Sequence, residues 1–405
     1  MDLDTFRMLL FPAGQQVLQA AEALAPREAD FLAHFTVLSR GYPAELSRAA
    51  LEVAILRREA GDKFPFARQL YLTRPALEQA TAYAVSSYRA ERFRPYQAIL
   101  DLGCSIGGDT FSLAQVAFTA GVDLDPLRLA MARVNLQAFG LQDRAVMVHS
   151  DLLRPPFKLH PGLAIFFDPA RRAQQKRIFS VHDYQPPLSA VKSWLASCPA
   201  VGVKISPGVR LAELNEYSAE VEFISLDGEL KEAVLWFGPL QTVERRATLL
   251  PGRHTLAGLP DDRRDGEQLP LREPQTYLYE PDPAVLRAGL VGLLGMQLGA
   301  AQLDPDIAYL TAQQLTPTPF ARAWMVEAWF PFSLKRLRSA LRERRVGRVT
   351  VKKRGSPLEP ERLIQDLRLS GDQERVVFLT HLRPGRNPRQ APRPVAILAY
   401  PGPGG

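Results

Sequence analysis

The spacing of apolar residues along the first part of the chain predicts helices. Up to about residue 92, apolar side chains recur every three or four positions, as at Val53 and Leu56, and this period is typical of amphipathic helices. One helix is predicted to begin just after Thr73, which can serve as its N-cap, because Pro75 then falls in the first turn. The pattern therefore predicts an N-terminal helical domain over residues 1–92.

Beyond this domain, short apolar runs alternate with amphipathic helical stretches, which predicts a parallel sheet with helices on both faces. These runs lie at 98–100, 117–122, 145–148, 163–167 and 200–203. Two more strand-like runs, 221–226 and 233–237, are separated by Asp227-Gly228, which is a hairpin signal. The sequence therefore predicts an α/β domain over residues 93–250 whose sheet ends in an antiparallel hairpin.

The remaining third of the chain is interpreted as a connecting region followed by a small domain. Residues 251–330 begin with a stretch rich in Gly, Pro, Asp and Arg and continue into a helical pattern at 283–300, so a linker and connecting helical region is predicted. Residues 331–405 combine helix and strand patterns with a Pro/Arg-rich loop at 383–394. They are predicted to form a small α+β domain.

Candidate chemistry is concentrated where the first strand of the α/β domain ends in a glycine-rich turn. The residues of the turn that could contact a ligand are Asp101, Gly103, Ser105 and Gly107. Glycine permits positive φ and lets a ligand approach the backbone, and the helix that follows offers free N–H groups. At the end of the next strand, Asp123 is placed to accept both hydroxyls of a ribose. These features predict a nucleotide-cofactor site.

The turn alone fits two classes of cofactor. The spacing Gly103-x-Ser105-x-x-Gly108 matches a degenerate dinucleotide-binding fingerprint. With Asp101 in front, the same turn matches the acid-x-Gly-x-Gly-x-Gly pattern used for S-adenosylmethionine. Three features favour the second interpretation. Asp151 follows the third strand, where a carboxylate can meet an adenine amine, Asp168-Pro169 follows the fourth strand, and the sheet ends in a hairpin.

Short stretches spread over nearly the whole chain match the motifs of a known family. They are 63–64, 77–81, 122–126, 132–135, Asp151, 168–172, 245–248, 279–282, 308–311 and 351–355. On these motifs, residues 97–238 resemble a class I S-adenosylmethionine-dependent methyltransferase, of the group of RNA methyltransferases related to the trimethylguanosine synthase catalytic domain. The whole chain resembles a bacterial family that joins this domain to a C-terminal THUMP-like domain. The resemblance implies a Rossmann-like α/β sheet in the catalytic domain.

The resemblance also implies which residues bind the cofactor. They are Asp101, Gly103, Ser105, Gly107, Asp123, Leu124 and Asp151. Asp101 and Gly103 would lie under the methionine part of S-adenosylmethionine, Asp123 would hold the ribose hydroxyls, and Asp151 would hold the adenine amine. Ser105 stands where the family usually has its second glycine. Because serine disfavours positive φ, weaker cofactor binding is expected if the turn requires that conformation.

The motif after the fourth strand supplies the catalytic candidates, and in the family it lines the methyl-acceptor pocket. Asp168 and Pro169 match the usual acid or amide followed by proline, but Ala170 and Arg171 stand where a second proline and an aromatic residue are usual. An arginine plane can stack on a base or bind a phosphate, although Arg171 could equally lie in a solvated basic loop. Lys204, at the end of the fifth strand, is a further catalytic candidate in the same cleft or, alternatively, a capping lysine.

Composition excludes several other classes of protein. The chain is 46% apolar and 23% charged, as in ordinary globular proteins, and no uncharged apolar run reaches the roughly 18 residues of a membrane span. Cys104 and Cys198 are the only cysteines, so neither a disulfide framework nor a cysteine-rich metal site is predicted. The histidines show no metal-ligand spacing, and no metal is expected. The acidic N-terminus lacks a signal peptide's basic region, so a cytoplasmic protein is expected.

The positive charge of the chain is concentrated at its C-terminal end. Residues 332–405 hold 17 Lys and Arg against six Asp and Glu, whereas the rest of the chain is slightly acidic. Candidate phosphate-binding residues in the basic strand and turn are Arg348, Lys352, Lys353 and Arg354. The alternative is a solvated charged face. THUMP domains bind RNA, so the resemblance favours an RNA partner, either tRNA or rRNA.

Three functional hypotheses follow. The leading one is an S-adenosylmethionine-dependent methyltransferase that modifies an exocyclic amine of a nucleobase in RNA, with the C-terminal domain recruiting the RNA. The second is a methyltransferase of a small molecule or a protein. The third is a non-catalytic RNA-binding protein with a vestigial cofactor fold.

Overall fold

The computed structural model describes residues 1–170, 172–173, 176–177, 180–261, 268–383 and 391–402. The chain folds as two compact units. The first comprises Met1–Glu220 and Glu232–Thr242, and the second comprises Val221–Lys231 and Val243–Gly405. Among the described residues, no helix combines the length and the apolar character needed to cross a membrane.

The first unit begins with helices, as the apolar spacing predicted. They are α1 (Leu3–Leu10), α2 (Pro12–Ala23), α3 (Phe31–Leu38), α4 (Ala44–Glu59), α5 (Arg74–Gln79) and α6 (Tyr83–Ala90). The predicted N-cap of α5 is confirmed, because the hydroxyl of Thr73 accepts a hydrogen bond from the amide of Ala76 at 3.3 Å. Val53 and Leu56 of α4 are fully buried in one apolar core.

The predicted parallel sheet forms the centre of the first unit. Its strands are β1 (Ala98–Leu102), β2 (Phe118–Asp123), β3 (Ala145–His149), β4 (Leu163–Phe167) and, after the short pair β5 (Arg172–Ala173) and β6 (Lys176–Arg177), β7 (Ala200–Ile205). They lie in the order β7-β4-β1-β2-β3, all parallel. The helices between them are α7 (Thr110–Val116), α8 (Pro126–Ala138) and α9 (Val191–Leu195).

The predicted hairpin also forms. Strand β8 (Glu220–Leu226) is joined to β9 (Glu229–Trp236) by Asp227 and Gly228, whose φ angles are +54° and +77°. Two positive φ angles are what a two-residue turn of type I′ requires. Strand β9 then runs antiparallel to β7, with Gly202 opposite Trp236. The class I methyltransferase architecture expected from the sequence is therefore present.

The second unit contains a larger sheet than the sequence predicted. Strands β10 (Arg245–Leu250) and β11 (His254–Gly258) continue from β8, with β10 parallel to it. A separate sheet has the order β13-β14-β12-β15-β18-β17-β16. Its strands are β12 (Tyr277–Pro281), β13 (Ala301–Asp304), β14 (Ile307–Ala312), β15 (Ala321–Pro331), β16 (Val346–Lys353), β17 (Gln373–Leu382) and β18 (Arg393–Pro401). The helices are α10 (Pro283–Ala288), α11 (Val291–Leu298), α12 (Leu334–Glu343) and α13 (Pro360–Leu367).

The prediction of a linker and connecting helices over 251–330 therefore differs from the structure. Four strands of the seven-stranded sheet, β12 to β15, lie in this range. Their sequence signal is weak because polar residues interrupt the apolar ones and Gly- and Pro-rich segments flank them. The helix predicted at 283–300 is two helices, since Gly289, at φ +69°, ends the first one. Within the loop predicted at 383–394, residues 384–390 lie outside the described residues.

Candidate active site

The glycine-rich turn has the backbone conformation that its sequence indicated. Gly103 and Gly107 have φ angles of +91° and +90°, and Ser105 has φ +49°. Ser105 therefore does occupy the left-handed region, which disfavours residues other than glycine. A side chain at Gly103 would place its Cβ 2.5 Å from the carbonyl oxygen of Asp168. The turn is thus packed directly against the motif that follows β4.

A buried asparagine attaches the N-terminal region to this turn. The side chain of Asn135, on α8, is fully buried and donates hydrogen bonds to the carbonyl oxygens of Tyr71, at 2.9 Å, and Ile106, at 3.2 Å. Its own oxygen accepts from the amide of Tyr71 at 2.7 Å. These hydrogen bonds are all to backbone groups, so Asn135 fixes the backbone at Tyr71 relative to the backbone at Ile106 in the turn.

Asp123 and Leu124 place a carboxylate and an apolar side chain next to each other where β2 ends. One carboxylate oxygen of Asp123 accepts from the amide of Ser105 and the other from the amide of Asp125, each at 2.9 Å. A carboxylate has about four acceptor sites, so two remain for hydroxyl groups. Leu124 is 60% exposed and offers an apolar surface beside this carboxylate. Asp151 is exposed after β3, and its Oδ1 accepts from the amide of Leu153 at 2.9 Å.

Asp101 lies beneath the turn and is fully buried. The hydroxyl of Thr110 donates to its Oδ2 at 2.5 Å, while Oδ1 has no hydrogen-bond partner in the described part of the chain. Burial, together with the negative charges of Asp109 and Asp168, raises the pKa of Asp101 to about 8. An orphaned buried oxygen under a glycine turn fits a cofactor that brings an N–H donor, such as the ammonium group of methionine.

Two of the catalytic candidates meet in the structure. Nζ of Lys204, on β7, donates to Oδ2 of Asp168 at 2.7 Å and lies 4.0 Å from a carboxylate oxygen of Asp109. The side chain of Lys204 is 3% exposed and that of Asp168 is 21% exposed, so the carboxylate is partly open to a ligand. Pro169 is buried beside it. Arg171 lies outside the described residues.

Three charged residues that the sequence pattern does not single out, Arg89, Asp109 and Glu232, lie next to this ion pair. Arg89, on α6, is buried and forms ion pairs with Asp109 and Glu232. Glu232, Arg89, Asp109, Lys204 and Asp168 thus form one row of alternating charges, called here the buried ion-pair chain. The guanidinium of Arg89 also lies 4.2 Å from the ring centroid of Phe166. The adjacency of Asp109 to the glycine turn was the one available sequence signal; Arg89 had none.

The pKa shifts follow from this arrangement. Burial opposes the charged form of Arg89, but the negative charges of Glu232 and Asp109 outweigh burial and raise the pKa of Arg89. Burial raises the pKa of Glu232, and the positive charges of Arg89 and Lys204 act against that rise. Because each charge is paired, the buried ion-pair chain avoids the large cost of an isolated buried ion.

The candidate RNA-binding residues have different environments. Arg348 pairs with Glu374 at 2.6 Å, Lys353 pairs with Glu359 at 2.7 Å, and Lys352 pairs with Glu280 at 2.5 Å. Arg354 instead lies over the ring of Tyr309, 4.9 Å from its centroid. Three of the four basic residues are therefore paired with acids, two of which are distant in the sequence.

Cys104 and Cys198 are both buried free thiols, and burial raises the pKa of Cys198 to about 11 and that of Cys104 well above its usual value. Neither is therefore an activated nucleophile. In the described ranges, no group of three or more His, Cys, Asp or Glu residues could hold a metal ion.

Comparison with known proteins identifies three segments. Residues 96–204 match the family model described as RNA cap guanine-N2 methyltransferase, and residues 321–398 match the one described as THUMP domain-like. Residues 2–60 match a domain of unknown function. In the crystal structure of a methyltransferase candidate from Porphyromonas gingivalis W83, 97% of the chain superposes on 95% of this one, with a TM-score of 0.76 and 21% sequence identity. That likeness establishes the shared fold.

Curated relatives establish the family. The chain is 35% identical over 346 residues to proteins of Mycobacterium tuberculosis strains CDC 1551 / Oshkosh and ATCC 25618 / H37Rv, each named as an uncharacterized S-adenosylmethionine-dependent methyltransferase. The match covers 83% of this chain and 93% of each relative. Together with the fold, the glycine turn and the THUMP-like segment, this places the chain in the class I S-adenosylmethionine-dependent methyltransferases that carry a C-terminal THUMP-like domain, with S-adenosylmethionine as cofactor.

Proposed function

We propose that this methyltransferase modifies an exocyclic amine of a nucleobase in RNA, with tRNA or rRNA as substrate. The observation that carries the proposal is the environment of Asp168, whose partly open carboxylate is held at 2.7 Å by the buried Lys204 and whose carbonyl oxygen packs against Gly103. An acceptor bound at this carboxylate would therefore lie beside the cofactor turn. The match to an RNA cap guanine-N2 methyltransferase model supports an amine of RNA as that acceptor.

On the cofactor side, each residue has a proposed role that its environment permits. Bound S-adenosylmethionine supplies a methyl group already activated by a sulfonium. Asp123 would accept the ribose hydroxyls, Asp151 would accept from the adenine amine, and Leu124 would contact the adenine ring. Asp101 would accept from the methionine ammonium, which would favour its ionised form. Beneath these groups the backbone of Gly103, Ser105 and Gly107 allows close approach.

On the acceptor side, the chain needs only to align the amine and take up a proton. The free oxygen of Asp168 would accept a hydrogen bond from the amine and point its nitrogen lone pair at the methyl carbon. As the new nitrogen–carbon bond forms, the carbon–sulfur bond breaks and its electron pair stays on sulfur. Asp168 can receive the proton that the nitrogen loses, and Pro169 makes the motif rigid. Arg171 is proposed to stack on the base or bind a phosphate.

The proposal is tested by assaying RNA from a strain that lacks the gene, using the full-length protein and labelled S-adenosylmethionine. We expect label to enter this RNA but not RNA from the parent strain, whose sites are already methylated. Mass spectrometry of nucleosides would then identify the methylated base. Label in small molecules or proteins instead would favour the second hypothesis, and a failure of calorimetry to detect cofactor binding would favour the third.

The Asp168→Ala variant provides the internal control for the site. Because Asp168 is placed on the acceptor side, the variant should lose turnover by at least about 100-fold while the dissociation constant for S-adenosylmethionine stays within about threefold. Retained turnover would remove Asp168 from the mechanism.

A further inference from the structure

The second unit contains a cleft of about 860 Å³ that the proposed methyl transfer does not use. It is lined by the turn between β10 and β11, by the end of β12, by residues 315–323 and by the end of β16. Three cationic side chains line it, those of Arg322, Lys352 and Arg354. Two of these belong to the basic run noted in the sequence, whereas Arg322 lies outside it.

Aromatic rings hold all three cations in place. The guanidinium of Arg322 lies 4.3 Å, and the ammonium of Lys352 lies 5.2 Å, from the ring centroid of Trp324. Arg354 lies 4.9 Å from the centroid of Tyr309. Both aromatic residues are almost fully buried, since Trp324 is 3% exposed and Tyr309 is 1% exposed. Cations packed on rigid rings lose less conformational freedom when they bind a ligand than free surface side chains do.

The acidic residues of the cleft are already committed to other partners. Glu280 accepts from Lys352 at 2.5 Å, and Asp282 caps α10 by accepting from the amide of Ala284 at 2.7 Å. Arg322 and Arg354, by contrast, form no ion pair with any carboxylate in the described ranges. Two guanidinium groups without counter-ions therefore line one concave surface, which is suited to an anionic ligand.

We propose that this cleft binds the phosphates of a short single-stranded segment of RNA, an inference that rests on RNA being the substrate. Arg322 and Arg354 would each donate two hydrogen bonds to a phosphate, which the planar guanidinium does better than an ammonium. Apolar walls for ribose and base come from the five prolines of the lining, Pro251, Pro281, Pro283, Pro317 and Pro319. A cleft of this volume is in the range that encloses drug-sized ligands, about 300–1,000 Å³, so it suits a few nucleotides rather than a duplex.

The proposed site in the cleft differs from an alternative in which RNA binds along the basic residues of β16. Arg348 and Lys353, the other members of the basic run, do not line the cleft and are paired with Glu374 and Glu359. Lys335 and Arg362 are exposed on α12 and α13 and carry the same two positive charges elsewhere in the same unit. Three double variants with identical changes in net charge can therefore be compared.

The test is fluorescence anisotropy of a labelled single-stranded oligoribonucleotide with full-length protein over a range of salt concentrations. We expect Arg322→Gln with Arg354→Gln to weaken binding at least about tenfold and to reduce the salt slope by about 1.4, since each phosphate contact on a single strand contributes about 0.7. Lys335→Gln with Arg362→Gln should weaken binding less than threefold. Equal losses in these two variants, or a larger loss in Arg348→Gln with Lys353→Gln, would overturn the cleft assignment.

Conservative variants and a second probe complete the test. Arg322→Lys with Arg354→Lys keeps the charge but loses the planar donors, so binding should fall between wild type and the glutamine variant. Binding of poly-glutamate in place of RNA, dependent on the two arginines, would overturn the proposal in favour of an acidic protein partner. The experiments distinguish an error in the cleft assignment from an error in the proposed function. If RNA is methylated in an Asp168-dependent way while Arg322→Gln with Arg354→Gln binds RNA normally, only the cleft assignment is wrong.

Discussion

Nζ of Lys204 lies 2.7 Å from Oδ2 of Asp168, and this ion pair joins two residues that are 36 positions apart in the sequence. Lys204 is almost fully buried, whereas the carboxylate of Asp168 retains an exposed edge. The lysine holds one oxygen of the carboxylate and leaves the other open, so we expect it to act through Asp168. On this geometry we class Lys204 as a positioning residue.

Replacing Lys204 by methionine is expected to lower kcat by about 100-fold, with little change in cofactor affinity, because Asp168 would lose its orientation and its neighbouring positive charge. Lys204→Arg should restore part of the activity. Lys192, which pairs with Glu216 at the surface, provides the control: Lys192→Met should behave as wild type. An unchanged kcat in Lys204→Met, or no recovery of activity in Lys204→Arg, would contradict the positioning role.

The buried ion-pair chain is expected to matter for stability as well. Removing Arg89 leaves Asp109 and Glu232 buried without their partner, so Arg89→Met should lower the free energy of unfolding by about 3–5 kcal/mol. Arg94 forms a comparable pair with Glu91 at the surface, where such pairs contribute about 0–1 kcal/mol. Urea denaturation of Arg89→Met and Arg94→Gln measures both. Similar losses of unfolding free energy in the two variants would show that burial of an ion pair does not determine its contribution to stability.

The contrast between these residues also shows what the sequence could and could not predict. Asp123 and Asp168 were found because each directly follows a continuous apolar run, and a strand that is buried on both faces produces such a run. Arg89 was missed because its partners are 20 and 143 positions away, so no local spacing connects them. Strands β12 to β15 were missed because polar residues interrupt their apolar runs, and because some of their pairings, as in Glu280 opposite Arg322, join distant parts of the chain.

The packing of Gly103 against Asp168 gives a prediction with a matched control. Both Gly103 and Gly140 have positive φ, but a Cβ at Gly103 would lie 2.5 Å from the carbonyl oxygen of Asp168, whereas one at Gly140 would meet nothing within 4 Å. Gly140→Ala should therefore lose about 1 kcal/mol of stability from backbone strain alone. Gly103→Ala should in addition weaken S-adenosylmethionine binding by more than tenfold, as measured by calorimetry. Equal cofactor affinity in the two variants would contradict the close contact.

The raised pKa of Asp101 predicts a pH-dependent stability of definite sign. Its pKa rises from 3.8 to about 8 on folding, so between these values the folded protein binds more protons than the unfolded chain, and stability falls as pH rises. The slope is at most about 1.4 kcal/mol per pH unit. Asp101→Asn cannot titrate, so the free energy of unfolding of wild type relative to this variant should decrease from pH 5 to pH 8. The control is Asp143→Asn, which replaces an exposed carboxylate and is compared with wild type in the same way. If the stability difference from wild type depends on pH equally for both variants, Asp101 is ionised over the whole range and the prediction is wrong.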